Sequence, residues 1–139
     1  MSIGDDWFGT LLQAMQSGPD WASTAAIVTW DDCGCFYDHV PPPFPDWGIR
    51  VPVIIVSPYA KPGFTDSTDA TFVSMLTFAE HVFGLTPLNA DDAGAYAYAN
   101  AFDFTQPPGG PVSVVHTKVP RWEIDHAKNH PEGLDPSGT

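Results

Sequence analysis

Positive charge is what this sequence has least of. Five lysines and arginines stand against 17 aspartates and glutamates, a net charge of -12 over 139 residues. A chain so acidic is repelled by the phosphates of nucleic acid and by anionic bilayers, so neither is expected as a general partner. Charge of either sign is scarce, at 16% of residues, which suits a segment that packs against more protein. Cysteine is almost absent. Cys33 and Cys35 are separated by Gly34 alone. A disulfide across one residue is strained, two cysteines make no framework, and a structural zinc takes four ligands. Small, partly buried thiols are therefore expected. Long apolar runs are missing as well. The longest, around Val51 to Val56, is too short to span a bilayer. The acidic, amphipathic N-terminus has neither the basic start nor the apolar stretch of a signal peptide. A soluble chain with no visible export signal and no integral membrane segment is the expectation. Neither a GxSxG nucleophile turn nor a Gly-rich phosphate loop occurs.

Aromatic and apolar residues are plentiful, at 13% and 43%. Together with 15 prolines and 12 glycines they point to long ordered loops rather than disorder, because disordered chains are poor in aromatics. The length fits one domain or a piece of one. Residues 1–105 are expected to form the domain portion and 106–139 a proline-rich segment with a polar tail.

Ser2 to Ser17 reads as a helix, stopped by Gly18-Pro19, with Trp7, Phe8, Leu11, Leu12 and Met15 on a buried face. Ala25 to Trp30 is an apolar strand of the kind found inside a parallel sheet covered by helices. Val51 to Ser57 is a second. No full crossover helix fits between them, so the two are either not neighbours or joined by the irregular loop alone. A helix is expected from Asp69 or Thr71 to about Val82, closed by Gly84. Its apolar stripe is Phe72, Leu76, Ala79 and Phe83, with Met75 and Phe78 beside it. His81 near its C-terminus suits a cap or packing role. Asn89 to Asn100 reads as a short helix whose Asp91-Asp92 pair is a solvated first turn. Ala101 to Phe104 should return aromatic side chains to the core, and Val112 to Val115 a short strand. His116, His126 and His130 read as surface residues.

The chemistry-bearing stretch is Ala25 to Pro43, AAIVTWDDCGCFYDHVPPP. An apolar strand runs straight into Asp31-Asp32, and ligands of open α/β sheets sit at the carboxyl ends of strands. Adjacent carboxylates on an irregular strand end can turn toward one hard cation, Mg²⁺, Ca²⁺ or Mn²⁺, and can also serve Zn²⁺. A surface turn also carries paired aspartates, and composition does not decide between the two. Asp38-His39 follows. His39 either completes such a site, donating a proton to a leaving group or phosphate oxygen, or is a loop histidine held by Asp38. A phosphoacceptor receiver domain also places an acidic pair at one strand end and Ser57 and Lys61 after another. That fold needs a further strand-helix repeat in between, and a proline loop stands there instead.

The motif TWDDCGCFYDHVPPP resembles the signature of the bacterial phosphoesterase family that includes phospholipases C and acid phosphatases. A second block, GIRVPVIIVSPYAKPG, then a Ser/Thr-containing helix, FGLTPL and AFDF, resembles the same family in the same order, so the likeness runs from about Ile3 to Phe104. It implies an α/β fold, part of an alkaline-phosphatase-like α/β/α sandwich, and metal-assisted hydrolysis of phosphate mono- or diesters, including a phospholipid head group. By that likeness Asp31 and Asp32 are metal ligands for a divalent cation (Ca, Mg, Mn or Zn), and His39 is a catalytic candidate. Cys33 and Cys35 stand where many members carry His or Gly. Members are several hundred residues long and commonly exported or periplasmic, and their nucleophile lies in an N-terminal segment. The resemblance thus implies a C-terminal portion whose missing segment or partner chain supplies the nucleophile, or else a non-catalytic remnant that binds a cation or pairs with another chain.

Overall fold

The structure is a computed structural model that describes residues 2–31, 37–116 and 118–130. Two compact units divide the chain. One is formed by residues 1–21 with 111–139, the other by residues 22–110.

In the first unit, helix α1 (Ser2–Gln16) carries Leu12 buried and Phe8 and Met15 half-buried. It ends where Gly18 donates to the Met15 carbonyl at 3.1 Å, with Pro19 next. Trp7 and Leu11, expected inside, are exposed. The expected strand at 112–115 is not a strand. The Gln16 side chain takes the place of a strand neighbour for Val112, accepting from its N–H at 2.6 Å and donating to its carbonyl at 3.3 Å. An amide side chain sets an N–H donor beside a carbonyl acceptor as a peptide group does, so it can cap an extended segment in this way. His116 pairs with Asp6 at 3.0 Å. The tail, read as polar and irregular, contains a helix instead (α4, Arg121–Asn129). Its residues are mostly exposed, so no apolar stripe announces it in the sequence.

In the second unit, strands β1 (Ala26–Thr29) and β2 (Val53–Val56) pair antiparallel, Ala26 opposite Val56 and Thr29 opposite Val53. The parallel arrangement that the apolar runs suggested is thus replaced by direct pairing. The reason is in the connection: a parallel pair needs a crossover, and the intervening loop holds no helix among its described residues. The unit still mixes helices with a small sheet, the partial α/β architecture expected. Val53 and Ile54 face solvent rather than a second layer.

The core of this unit is aromatic. Phe102 stacks on Phe78 at 5.1 Å and on Phe104 at 5.4 Å between ring centres. Tyr98, Ala101 and Phe102 are its buried centre, with Ile27, Ile55 and Met75 packed against them. An isolated bridge pairs Ala60 with Phe102, and Lys61 and Asp103 donate to Ala101 and Tyr59 carbonyls at 2.9 and 2.8 Å. The expected return of AFDF to the core is therefore met by Phe102, while Phe104 remains largely exposed.

Helix α2 (Val73–Phe83) closes at Gly84, whose left-handed backbone (φ 64°) lets its N–H reach the Glu80 carbonyl. Its orientation is only partly the expected one. Met75 and Phe78 pack on the aromatic core, but the residues buried most deeply are polar: Ser74, Thr77 and Glu80 are 0%, 1% and 3% exposed. The apolar stripe of Phe72, Leu76 and Phe83 faces outward. The inward polar residues meet the segment that follows. Ser74 hydrogen-bonds the Tyr98 hydroxyl. Thr77 donates to the Asp92 carbonyl at 2.9 Å. Glu80 meets the Asp92 side chain. Ser74 and Thr77 are satisfied in this way, while the two Glu80 carboxylate oxygens have no donor facing them. Helix α3 (Ala90–Gly94) begins at Asn89, whose side chain accepts from Asp91 N–H at 2.7 Å in a reciprocal cap with Asp92.

Candidate functional site

β1 delivers the chain to Asp31, which is exposed two residues past the strand. Thr29 fixes that end: it pairs with Val53 and its hydroxyl donates to the Pro52 carbonyl at 2.9 Å. Asp32, Cys33 and Cys35 lie outside the described residues. The pairing nonetheless shows which end of the sheet Asp31 follows. Where β1 ends β2 begins, so the excursion from Trp30 to Pro52 leaves and rejoins one end of the sheet.

A second closure lies within that excursion. Arg50 grips Asp38 in a fork, Nε to Oδ2 at 2.6 Å and Nη2 to Oδ1 at 3.0 Å. The Val40 N–H adds a bond at 3.0 Å and the Arg50 N–H another at 3.3 Å. A bidentate guanidinium–carboxylate pair is strong and directional. Arg50 and the Val40 N–H hold the Asp38 carboxyl well below the usual carboxylate range. Three prolines, Pro41 to Pro43, stiffen the loop beyond it.

His39 points into solvent, with its side chain 83% exposed, and its Nδ1 is 3.9 Å from Asp38 Oδ1. That is beyond hydrogen-bond reach. Asp38 is thus engaged by Arg50, not by His39, and the imidazole is presented outward at the end of the sheet where Asp31 lies. Sequence reasoning named Asp31, Asp32 and His39 and overlooked Arg50. The signal for it was a lone arginine directly before an apolar strand, in a chain with few basic residues to spare.

Among the described residues no group of three or more His, Cys, Asp or Glu side chains is placed to hold a metal ion. Asp38 is committed to Arg50, and His39 stands off. The described side chains therefore do not by themselves complete a cation shell, although paired carboxylates at a strand end have the right donor chemistry for a hard divalent ion. Of Asp91-Asp92, the other acidic pair, Asp91 is exposed as expected and Asp92 is not. Asp92 is 1% exposed and accepts from the N–H groups of Leu88, Asn89 and Ala93 at 2.7, 2.8 and 3.0 Å. Burial raises its pKa, but these bonds outweigh it and the net shift is downward. His126 and His130 stack on each other at 4.3 Å in the first unit. No helix of the described residues is long and apolar enough to cross a membrane.

The phosphoesterase family profile matches residues 1–86, a span that includes both strands, the acidic loop and α2. Among curated proteins the chain is similar to a hemolytic phospholipase C of Pseudomonas aeruginosa, at 30% identity over 63% of this chain and 16% of that protein. It is similar to a non-hemolytic phospholipase C of Burkholderia pseudomallei, at 29% identity over 71% of this chain and 19% of the relative. A plant relative, non-specific phospholipase C5 of Arabidopsis thaliana, is 33% identical over 45% of the chain and 16% of its own length. The chain thus spans about a fifth or less of these relatives.

Proposed function

The chain belongs to the phosphoesterase family, and from that premise we propose that it serves as the portion of a phosphoester hydrolase that carries the strand-end carboxylates. The observation that supports this most directly is the antiparallel closure of β1 on β2. It brings the two sequence blocks matched by the family profile side by side, with Asp31 and the Asp38–Arg50 clamp at one end of the sheet.

Asp31 and Asp32 are the residues of this chain that would hold a divalent cation, Ca²⁺, Mg²⁺, Mn²⁺ or Zn²⁺. Such an ion, when bound, supplies charge neutralisation at a phosphate oxygen. Arg50 positions the loop by engaging Asp38, and that leaves His39 directed outward, where a leaving-group oxygen can take its proton. The substrate class is a phosphate ester, a phospholipid head group included, since the relatives in question are phospholipases C. The nucleophile comes from polypeptide outside residues 1–139.

Turnover of nitrophenyl phosphate and of phosphorylcholine esters, across a series of divalent metals, tests the reading. Activity that depends on metal and vanishes in Asp31→Asn is expected of the assembled enzyme. Activity untouched by that substitution would remove Asp31 from the site. A second reading is favoured by the outward apolar stripe of α2: a non-catalytic chain that binds a cation or pairs with another chain. Metal binding by calorimetry without turnover in any assembly would select it.

A further inference from the structure

We propose that the outward face of α2 is the docking surface on which the remaining part of the phosphoesterase domain seats. Phe72, Leu76 and Phe83 lie on this face, with Phe83 73% exposed. Their spacing of four, three and four residues, with Ala79 between Leu76 and Phe83, puts them in one line along the helix. Leu85 and Leu88, just beyond, are exposed too. A helix that packs Met75 and Phe78 on the core, turns Ser74, Thr77 and Glu80 inward beside them and leaves Phe72, Leu76 and Phe83 in solvent has a second apolar face. That face is left for something else. Large exposed apolar patches mark interaction sites.

Three occupants have the right chemistry: complementary polypeptide, a second copy of the chain, or a lipid surface. Charge and length separate them. Two copies would bring net charges of -12 together, and an anionic bilayer would repel the same charge. Length favours polypeptide from the rest of the domain. The matched relatives have more than four fifths of their length outside the segment they share with this chain. The surface lies within residues 1–86, the span of the family match, so it belongs to the part of the fold that the longer relatives share. The inference rests on the hydrolase reading only for the identity of the occupant.

The test places a photo-crosslinking p-benzoylphenylalanine at position 83 in the chain as produced in its own host. A control probe stands at exposed Asp91, on α3. The expected result is a crosslink from 83, and none from 91, to phosphoesterase-family sequence lying outside residues 1–139, identified by mass spectrometry. The paired substitution Phe72→Ser and Leu76→Ser should abolish it while the far-ultraviolet dichroism stays unchanged. Crosslinks only between identical chains, only to lipid, or equally from both positions would overturn the proposal. So would loss of fold in the paired variant, because the stripe would then be needed by this chain alone. A family-sequence crosslink in an assembly that hydrolyses no phosphoester would keep the docking surface and remove the hydrolase reading. Turnover without the crosslink would do the opposite.

Discussion

The loop around Asp38 and the contact between α2 and α3 belong to the same unit, and they hold their carboxylates in opposite ways. Asp38 is fixed from outside by one exposed arginine, and its neighbour His39 is left in solvent. Asp92 is buried, takes three backbone N–H groups, and meets a second acid, Glu80, that is buried with it. Between two carboxyl groups a hydrogen bond needs a proton. Without one on Glu80, both its oxygens are buried and unpartnered. With one, Glu80 donates to Asp92, and burial, then Asp92 itself, raise the Glu80 pKa accordingly. The two regions show that an acidic pair in sequence carries no fixed meaning. Next to backbone donors it is a structural pin. At the end of β1 it goes, on the proposed reading, to a cation instead. If this contrast is right, substitutions near Asp92 should cost stability, and substitutions near Asp38 should cost function.

The largest effect is expected where the pinned region meets the core. Phe102→Ala removes the ring stacked on Phe78 of α2 and should cost about 3–5 kcal/mol. Urea unfolding of the purified chain measures it. A loss well under that figure would mean that the aromatic stack is not what anchors α2. Next comes Thr77→Val, which keeps shape and removes the donor to the Asp92 carbonyl. The carbonyl then keeps only the 3.3 Å bond from the Ala95 N–H, and losing the shorter bond should cost about 1–1.5 kcal/mol. Asn89→Ala deletes the cap on α3 and should cost about 1 kcal/mol by the same measurement. Three graded losses in this order would support the pinned region as described. Equal and negligible losses would break the comparison.

Much of this was legible in the sequence, and the failures share a cause. Strand positions, the start and stop of α1, the closure of α2 at Gly84 and the return of Phe102 to the core all follow from local chemistry: apolar runs, Gly-Pro, a left-handed cap, an aromatic pair. The acidic strand end with His39 was readable as a motif, and the family followed from two blocks in order. The orientation of α2 was only partly readable. An apolar stripe is expected inside because water is the usual alternative. That inference fails when Ser74, Thr77 and Glu80, also at helical spacing, meet residues 92–98. The same segment misled the reading of Asp92, since the backbone donors that bury it carry no sequence signature. The fork between Arg50 and Asp38 was missed because it joins residues twelve apart across an irregular loop.

A smaller effect, read in pH rather than in a midpoint, sharpens the contrast from the buried side. The Glu80 pKa is raised above the usual 4.5. Its contribution to stability is therefore fully present below about pH 4.5 and is lost as pH rises through its folded value. The Asp92 pKa is lowered from 3.8, so its contribution is present above that value and is lost as pH falls through its folded one. Stability should peak in the window between the two folded values. His81 is the basic group that faces Glu80 electrostatically and moderates the shift. Glu80→Gln keeps a donor for Asp92 and removes the charge, so the decline on the alkaline side should flatten while the acid side persists. A variant with both limbs unchanged would take Glu80 out of the account.

The smallest stability effect is expected from Arg50→Ala, and there the comparison is most exposed. Asp38 is only 12% exposed, but its partner Arg50 stands 61% in solvent, and ion pairs open to water contribute little to folding. The unfolding midpoint at neutral pH should scarcely move. The loop should respond instead. Without the guanidinium, Asp38 keeps the Val40 N–H but loses its hold on the returning chain, so the amides of Val40 and Arg50's replacement should exchange faster with solvent. The Asp38 pKa should rise toward the ordinary carboxylate value, because Arg50 is the largest cause of its depression. On the proposed hydrolase reading, the same variant should lower turnover more than substrate affinity, since His39 is there the proton donor and the strand-end carboxylates stay in place. A large fall in stability with the loop's exchange unchanged would show that the fork pins the fold as Asp92 does, and that the two regions differ in exposure alone.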